Sequence, residues 1–234
     1  MRVICCIFLF VSCSFSSGFP QEYYEIKSAS KQKKEFVKIL RPLLQRANLV
    51  VQMERNTVQN FFEKAFAQGF RNLHASDFAA MIKIAKKYRI KKLFQKGEFF
   101  DKVDVIPLSL GLTQGALESG WGKSRFVREA NNIFGHWTWG EVGLIPSERE
   151  EGKTHKIRIF SSLQSSVNAY VLNLNRNYAY KGFRAMRAKY RKMHKKFTGI
   201  EAAKTMVNYS QLDNLYVALL QRMMRENKFL RYDL

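Results

Sequence analysis

The sequence predicts an α+β fold that is predominantly α, with one small β-hairpin lobe. Three observations carry this. Apolar residues recur at spacings of three and four over most of the chain, only residues 153–160 alternate, and 234 residues contain just 4 Pro. With 46% hydrophobic and 14% aromatic residues there is material for a sizeable core, which excludes a wholly disordered protein. Charged residues at 25% exclude a multi-span membrane protein.

Met1 and Arg2 open the chain, residues 3–11 are apolar, and Ser12, Ser14, Ser16, Ser17 and Gly18 follow. This is the layout of a secretory signal peptide over residues 1–19, too short for the roughly 20 apolar residues of a spanning helix. The other reading is an ordinary buried N-terminal element. All three cysteines (Cys5, Cys6, Cys13) lie here, so the domain behind has no disulfide framework and no thiolate metal site. Cys13, after Phe10-Val11-Ser12, resembles a degenerate lipoprotein box and would tether the chain to a membrane if lipidated. Residues 20–32 are polar and read as a flexible lead-in.

From Phe36 the spacing is helical: Phe36, Ile39, Leu40, Leu43, Leu44, Ala47, Val50 and Val51. Pro42 marks a kink or a helix start within it. Phe61, Phe62, Ala65 and Phe66 continue the face to Gly69. Ser76-Asp77 offers an N-cap to a helix running to Tyr88. Pro107 suits the first turn of a helix that reaches Glu118 and ends at Gly120 and Gly122. A short helix over 124–130 precedes an aromatic, glycine-rich loop over 131–143. In 153–160, His155, Ile157 and Ile159 face one way, and Gly152 turns this strand back onto the segment near Pro146. Helices resume at 163–175 and 183–193. Thr198 with Glu201 forms a capping box. Asp213 can cap a last helix whose inward face is Tyr216, Leu219, Leu220, Met223 and Met224. The organisation is a signal peptide (1–19), a helical N-terminal segment (20–99) and a catalytic domain (100–230).

The sharpest chemistry lies in Leu112-Thr113-Gln114-Gly115-Ala116-Leu117-Glu118-Ser119-Gly120-Trp121-Gly122-Lys123-Ser124. A carboxylate in the last turn of an apolar helix meets the negative end of the helix dipole. Partial burial against Trp121 would disfavour its charged form further. A carboxyl group that keeps its proton near neutral pH is equipped to act as a general acid on a glycosidic oxygen. A surface Glu at a frayed helix end is the plain alternative.

Residues 116–124, followed by Asn131-Asn132-Ile133-Phe134-Gly135, resemble the glucosaminidase family of peptidoglycan hydrolases. Further blocks agree in order: Phe160-Ser161-Ser162, then Leu174-Asn175-Arg176-Asn177-Tyr178-Ala179-Tyr180. Pro107-Leu108-Ser109-Leu110, Tyr209-Ser210 and Leu215-Tyr216-Val217 point to its Bax-like branch. The similarity spans residues 100–228 and implies a lysozyme-like domain. It implies Glu118 as catalytic acid, Tyr180 lining the cleft beside it, and Asn132, Phe134 and Gly135 in the loop that floors it. Tyr178 joins the cleft candidates, and Asn132 is read as orienting the loop through backbone hydrogen bonds. An acidic residue on the hairpin lobe often serves the family as base. Glu148 lies in the right stretch, with Glu141, Glu150 and Glu151 close by, and a solvated acidic cluster reads equally well. Substrate assistance by an N-acetyl group would need no second carboxylate.

Trp137 and Trp139 alternate after His136, either to stack on sugar faces or to pack beneath the hairpin. His136 and His155 have no third partner at a ligand spacing, so neither a metal nor a cofactor is expected. The formal net charge of +21 draws in polyanions. Clusters at 83–96 and 184–196 resemble a nucleic-acid surface, but no recognition motif accompanies them, and an exported protein meets cell-wall polymer instead. They read equally as solvated helix faces. The sequence thus points to cleavage of β-1,4 N-acetylglucosaminyl bonds in peptidoglycan glycan strands, without nucleic acid. The expected place is the periplasm or cell envelope. A muramidase, a lytic transglycosylase, and a weakly catalytic wall-binding or morphogenesis protein are the alternatives.

Overall fold

The structure, a computed structural model, describes residues 18–146, 152, 154–207 and 213–233, without the side chains of Asp213 and Asn214. Its frame is one long helix, α2 (Ala29–Ala67), of 39 residues and therefore about 58 Å. Ser28 caps it by accepting from the Lys31 N–H at 3.4 Å. Phe36, Leu40, Leu44, Ala47, Val51, Val58 and Phe62 fall on its buried face. Pro42 does not start a helix: α2 runs through it unbroken. Proline forgoes one bond to the Lys38 carbonyl, and burial of Leu40, Leu43 and Leu44 around it outweighs that loss.

The lead-in is ordered as well. A short α1 (Gln21–Tyr24) buries Tyr23, and Phe19 sits at 2% exposure, edge-on to Tyr23 at 4.7 Å. Gly18 donates its N–H to Asn131 Oδ1 at 2.8 Å. Polar composition hid a segment whose few aromatic residues enter the core. Residues 1–17, with all three cysteines, the lipidation reading and most of the expected 1–19 leader, lie outside the described residues, while Gly18 and Phe19, the last two residues of that leader, are packed against the domain.

Helix α3 (Ala75–Tyr88) begins at His74 and not at Ser76-Asp77. Asp77 instead lies in the first turn, where it pairs with Lys64 at 2.8 Å. After α4 (Lys96–Lys102) the chain enters α5 (Leu108–Glu118), in which every residue from Leu108 to Ala116 is buried. Helix α2 lies across it, because Gly111 and Gly115 open grooves for Leu44 and Leu40. A Cβ at either glycine would stand 2.6 Å from a leucine methyl. Helices α6 (Arg125–Ala130), α7 (Leu163–Arg176), α8 (Lys181–Lys192), α9 (Gly199–Ala203) and α10 (Asp213–Glu226) complete the bundle. Short 3₁₀ turns lie at Tyr178–Tyr180 and Phe229–Tyr232. The Thr198–Glu201 capping box forms as expected. Residues from the N-terminal segment and from 100–230 share one hydrophobic core.

The sheet is small. Strand β1 (Trp137–Thr138) pairs antiparallel with β2 (Lys156–Ile157), and Leu144 bridges the other side of Ile157. The bridge matches the expected return near Pro146, but the main partner, β1, was not anticipated. The alternation also fails after Ile157, leaving Ile159 42% exposed and Phe160 buried. The cause is that Phe160 N–H turns to the Ala130 carbonyl at the end of α6. The architecture is the predominantly helical, lysozyme-like α+β class that the sequence predicts.

The C-terminus is stapled to α5. Buried Asp233 accepts from Ser109 N–H (2.8 Å), Ser109 Oγ (2.5 Å) and Gly199 N–H (2.8 Å), at the first turns of α5 and α9. Asp233→Ala leaves three buried donors unmet and should cost roughly 3 kcal/mol. Urea denaturation measures this, and an unchanged midpoint would show that the staple carries no stability.

Candidate active site

Helix α5 delivers Glu118 as its last residue, and the chain then turns sharply. Gly120, Trp121 and Gly122 all take positive φ (55°, 58° and 79°). The Trp121 N–H reaches back to the Ala116 carbonyl at 2.7 Å, and Gly122 N–H donates to Ser119 Oγ at 2.7 Å. Two glycines therefore serve the turn by conformation. Trp121 is the one residue there with a side chain in the left-handed region. Its ring packs between Phe36 (5.4 Å) and Phe229 (6.2 Å), with Lys33 Nζ 4.8 Å from its centroid.

Glu118 is hydrogen-bonded from α10. Tyr216 of α10 donates its hydroxyl proton to Glu118 Oε1 at 2.9 Å. Gln114, one turn earlier on α5, donates to the Tyr216 oxygen at 3.1 Å, and Tyr170 of α7 donates to Gln114 Oε1 at 2.6 Å. Among the described residues the donations run in a single direction, from Tyr170 through Gln114 and Tyr216 to the Glu118 carboxyl. Burial raises the Glu118 pKa above the usual carboxylate value, and the Tyr216 hydrogen bond lowers it by less. Among the described residues no Lys or Arg pairs with it, despite the basic charge of the whole. Tyr180 responds in kind: burial first, then the Glu118 charge, pushes its phenol up to about 12.

A buried acid hydrogen-bonded in this way invites comparison with known proteins. The family model for mannosyl-glycoprotein endo-beta-N-acetylglucosaminidase matches residues 97–229. Protein bax of Escherichia coli K12 is 31% identical over 220 residues, covering 91% of this chain and 76% of that protein. The chain belongs to the glucosaminidase family. It is therefore a glycoside hydrolase of the endo-β-N-acetylglucosaminidase type. Peptidoglycan hydrolase FlgJ of Salmonella typhimurium LT2 is 34% identical over 88 residues, 32% of this chain and 28% of its own length. The catalytic domain of the autolysin Auto from Listeria monocytogenes aligns at a TM-score of 0.42 and 19% identity, covering 76% of this chain and 88% of that one.

In this glucosaminidase the other expected site residues divide into three groups. Phe134 is 4% exposed and stacks face to face on Tyr170 at 3.8 Å. Asn132 is 1% exposed. Its amide donates to the His136 and Arg158 carbonyls, both at 2.8 Å, and its Oδ1 accepts from His136 N–H at 2.9 Å. That leaves it pinning the loop to the hairpin, with Gly135 turned at φ +66° beside it. Trp137, Trp139 and Tyr178 form the exposed group. Trp137 stacks on His155 at 4.3 Å and meets Trp139 at 6.3 Å, on a lobe open to solvent.

His136 is turned inward, and burial, followed by the Arg158 charge, lowers its pKa to about 4, so it is neutral at pH 7. Glu148, with Glu150 and Glu151, lies outside the described residues. Glu141 is exposed on the lobe.

The basic run at 184–196 also divides. Arg184 and Arg187 are 4% and 3% exposed and bind Asp101, the Asp104 carbonyl and the Asn175 side chain, so they are structural and not a solvated face. The sequence reading missed Gln114 and Tyr170 as site residues and took Tyr216 only as an inward helix position. A glutamine inside an otherwise apolar helix was the available sign.

Proposed function

We propose that this glucosaminidase is an exported, envelope-associated enzyme that hydrolyses β-1,4 N-acetylglucosaminyl bonds of peptidoglycan, with Glu118 as proton donor. The observation that carries the proposal is the desolvated Glu118 carboxyl, with one oxygen held by Tyr216. Because Oε1 accepts the Tyr216 proton, the acid proton resides on Oε2. From there it passes to the glycosidic oxygen as the bond to the sugar C1 breaks. Tyr180 borders the acid, and Trp137, Trp139 and Tyr178 offer faces to successive sugars. Glu148, or the substrate's own N-acetyl group, supports the positive sugar until water adds at C1. The kinship with the peptidoglycan hydrolase FlgJ supports the choice of polymer. Residues 1–17 would act as the export leader, with a lipid tether if Cys13 is modified.

Mass spectrometry of fragments released from purified peptidoglycan tests this. Reducing N-acetylglucosamine ends are expected. Reducing muramic ends would make the enzyme a muramidase, and anhydro-muramic ends a lytic transglycosylase. Binding without release would leave a wall-binding protein.

Tyr216→Phe removes the hydrogen bond that favours the charged form of Glu118. It should raise the Glu118 pKa, move the alkaline limb of the pH–rate profile upward, and slow turnover about tenfold through lost positioning. An unmoved alkaline limb would show that Tyr216 does not govern the acid.

A further inference from the structure

The N-terminal half of α2 and the C-terminal 3₁₀ turn enclose a groove of about 530 Å³. Lys33, Lys34, Lys38, Arg41 and Arg231 line it, and no acidic side chain does. Among the described residues only Lys38 has a carboxylate partner, Glu35 at 2.9 Å. Three of the others are held by aromatic rings. Lys33 lies over Trp121 at 4.8 Å, and Arg41 and Arg231 lie over Tyr232 at 5.1 and 4.8 Å. A ring face fixes a cation in place without neutralising it, which leaves its N–H donors for another acceptor. Arg41 Nε is buried with no partner.

The groove adjoins the catalytic turn. Trp121, which carries Lys33, is three residues beyond Glu118. Asn227 at the groove's far wall follows Tyr216 by eleven residues, about 16 Å along the chain of α10. The cations of α2 spread over eight residues, about 12 Å, which suits separate charges along a polymer better than one compact anion. The apolar floor is sunken, with Phe229 at 2% exposure, so nothing there would insert into a lipid bilayer.

We propose that this groove binds the free carboxylates of the stem peptides on the glycan strand held at Glu118, and so extends the substrate site onto α2. This deepens the proposed peptidoglycan activity and rests on it.

The test is co-sedimentation with purified sacculi in a Glu118→Gln background, which requires no cleavage and so separates the groove from the activity. Lys34→Glu with Lys38→Glu should weaken binding about tenfold and flatten its salt dependence. Lys195→Glu with Lys196→Glu, an equal charge change elsewhere, should bind as the background does. Sacculi whose carboxyls have been converted to amides should bind the unaltered groove about as weakly as the groove variant binds ordinary sacculi. Equal losses in both double variants, or no effect of amidation, would overturn the proposal. So would a groove variant that keeps full sacculus binding and loses only binding to anionic phospholipid vesicles or to DNA. If the enzyme with Glu118 intact releases no fragments while these binding differences persist, the hydrolase reading fails and the groove stands.

Discussion

Glu118→Gln is expected to slow fragment release from peptidoglycan by about a hundredfold to ten-thousandfold, the range that a positioned general acid supplies. Glutamine keeps the shape and can still accept the Tyr216 hydrogen bond, but it has no proton to give. The same substitution has a second, opposite signature. Burial raises the folded-state pKa of Glu118, so the folded chain binds this proton more tightly than the unfolded chain does. That contribution is fully present below the unfolded value of about 4.3 and is lost as pH rises through the raised pKa. At pH 8 the wild type carries a desolvated charge that the variant lacks. The variant should therefore melt at or above the wild-type temperature at pH 8, with the comparison shifting in favour of the wild type toward pH 4. Thermal melts at the two pH values, set beside the turnover measurement, decide it. A variant that is less stable at pH 8 would mean that the carboxylate is well solvated and the acid assignment unsupported.

Asp104→Ala should be the most damaging substitution for the fold. Asp104 is 1% exposed. Arg191 grips both of its oxygens, and Arg55 and Arg187 approach at 3.5 and 3.7 Å. Burial alone would raise its pKa, but Arg191, Arg187 and Arg55 outweigh that and hold it below the ordinary Asp value. Removing the carboxylate leaves three guanidinium groups converging on a hole, one of them, Arg187, itself 3% exposed. The loss of one member of a buried pair costs about 3–5 kcal/mol. For a chain of this size that is roughly a 10 °C fall in Tm. Because the folded pKa is depressed, the stabilisation is present above the unfolded value near 3.9 and disappears as pH falls through the folded one. Urea midpoints of wild type and variant should thus differ widely at pH 7 and converge at pH 2. Equal midpoints at pH 7 would show that the cluster is solvated and inert.

The sequence reading placed Glu118 at the end of a helix because a helix start at Pro107, an apolar run and a glycine pair are all local features. The helix at 124–130 and the capping box at Thr198 were legible for the same reason. What it missed depends on which inward faces meet. Tyr216 and Glu118 are 98 residues apart, and Tyr170 and Gln114 are 56 apart. Helical periodicity marks Tyr216 as buried without naming its partner. Trp121 was read beside the acid from proximity in sequence; that its ring packs on Phe36 of α2 and on Phe229 is a long-range contact that proximity does not give. Arg184 and Arg187 looked like part of a solvated basic run because Asp101 and Asp104 lie more than eighty residues upstream. Strand β2 lies within the alternating stretch 153–160, whereas β1 spans two residues, too few for alternation to register.

The glycines of α5 set a minimum on what can stand alone. The match to the family model begins at residue 97, but Gly111 and Gly115 are covered by Leu44 and Leu40 from far upstream. Trimmed to that match, the helix that ends in Glu118 would lose its roof and show bare backbone grooves to water. The family model and the fold therefore set different boundaries, and the longer one governs whether Glu118 is held in place.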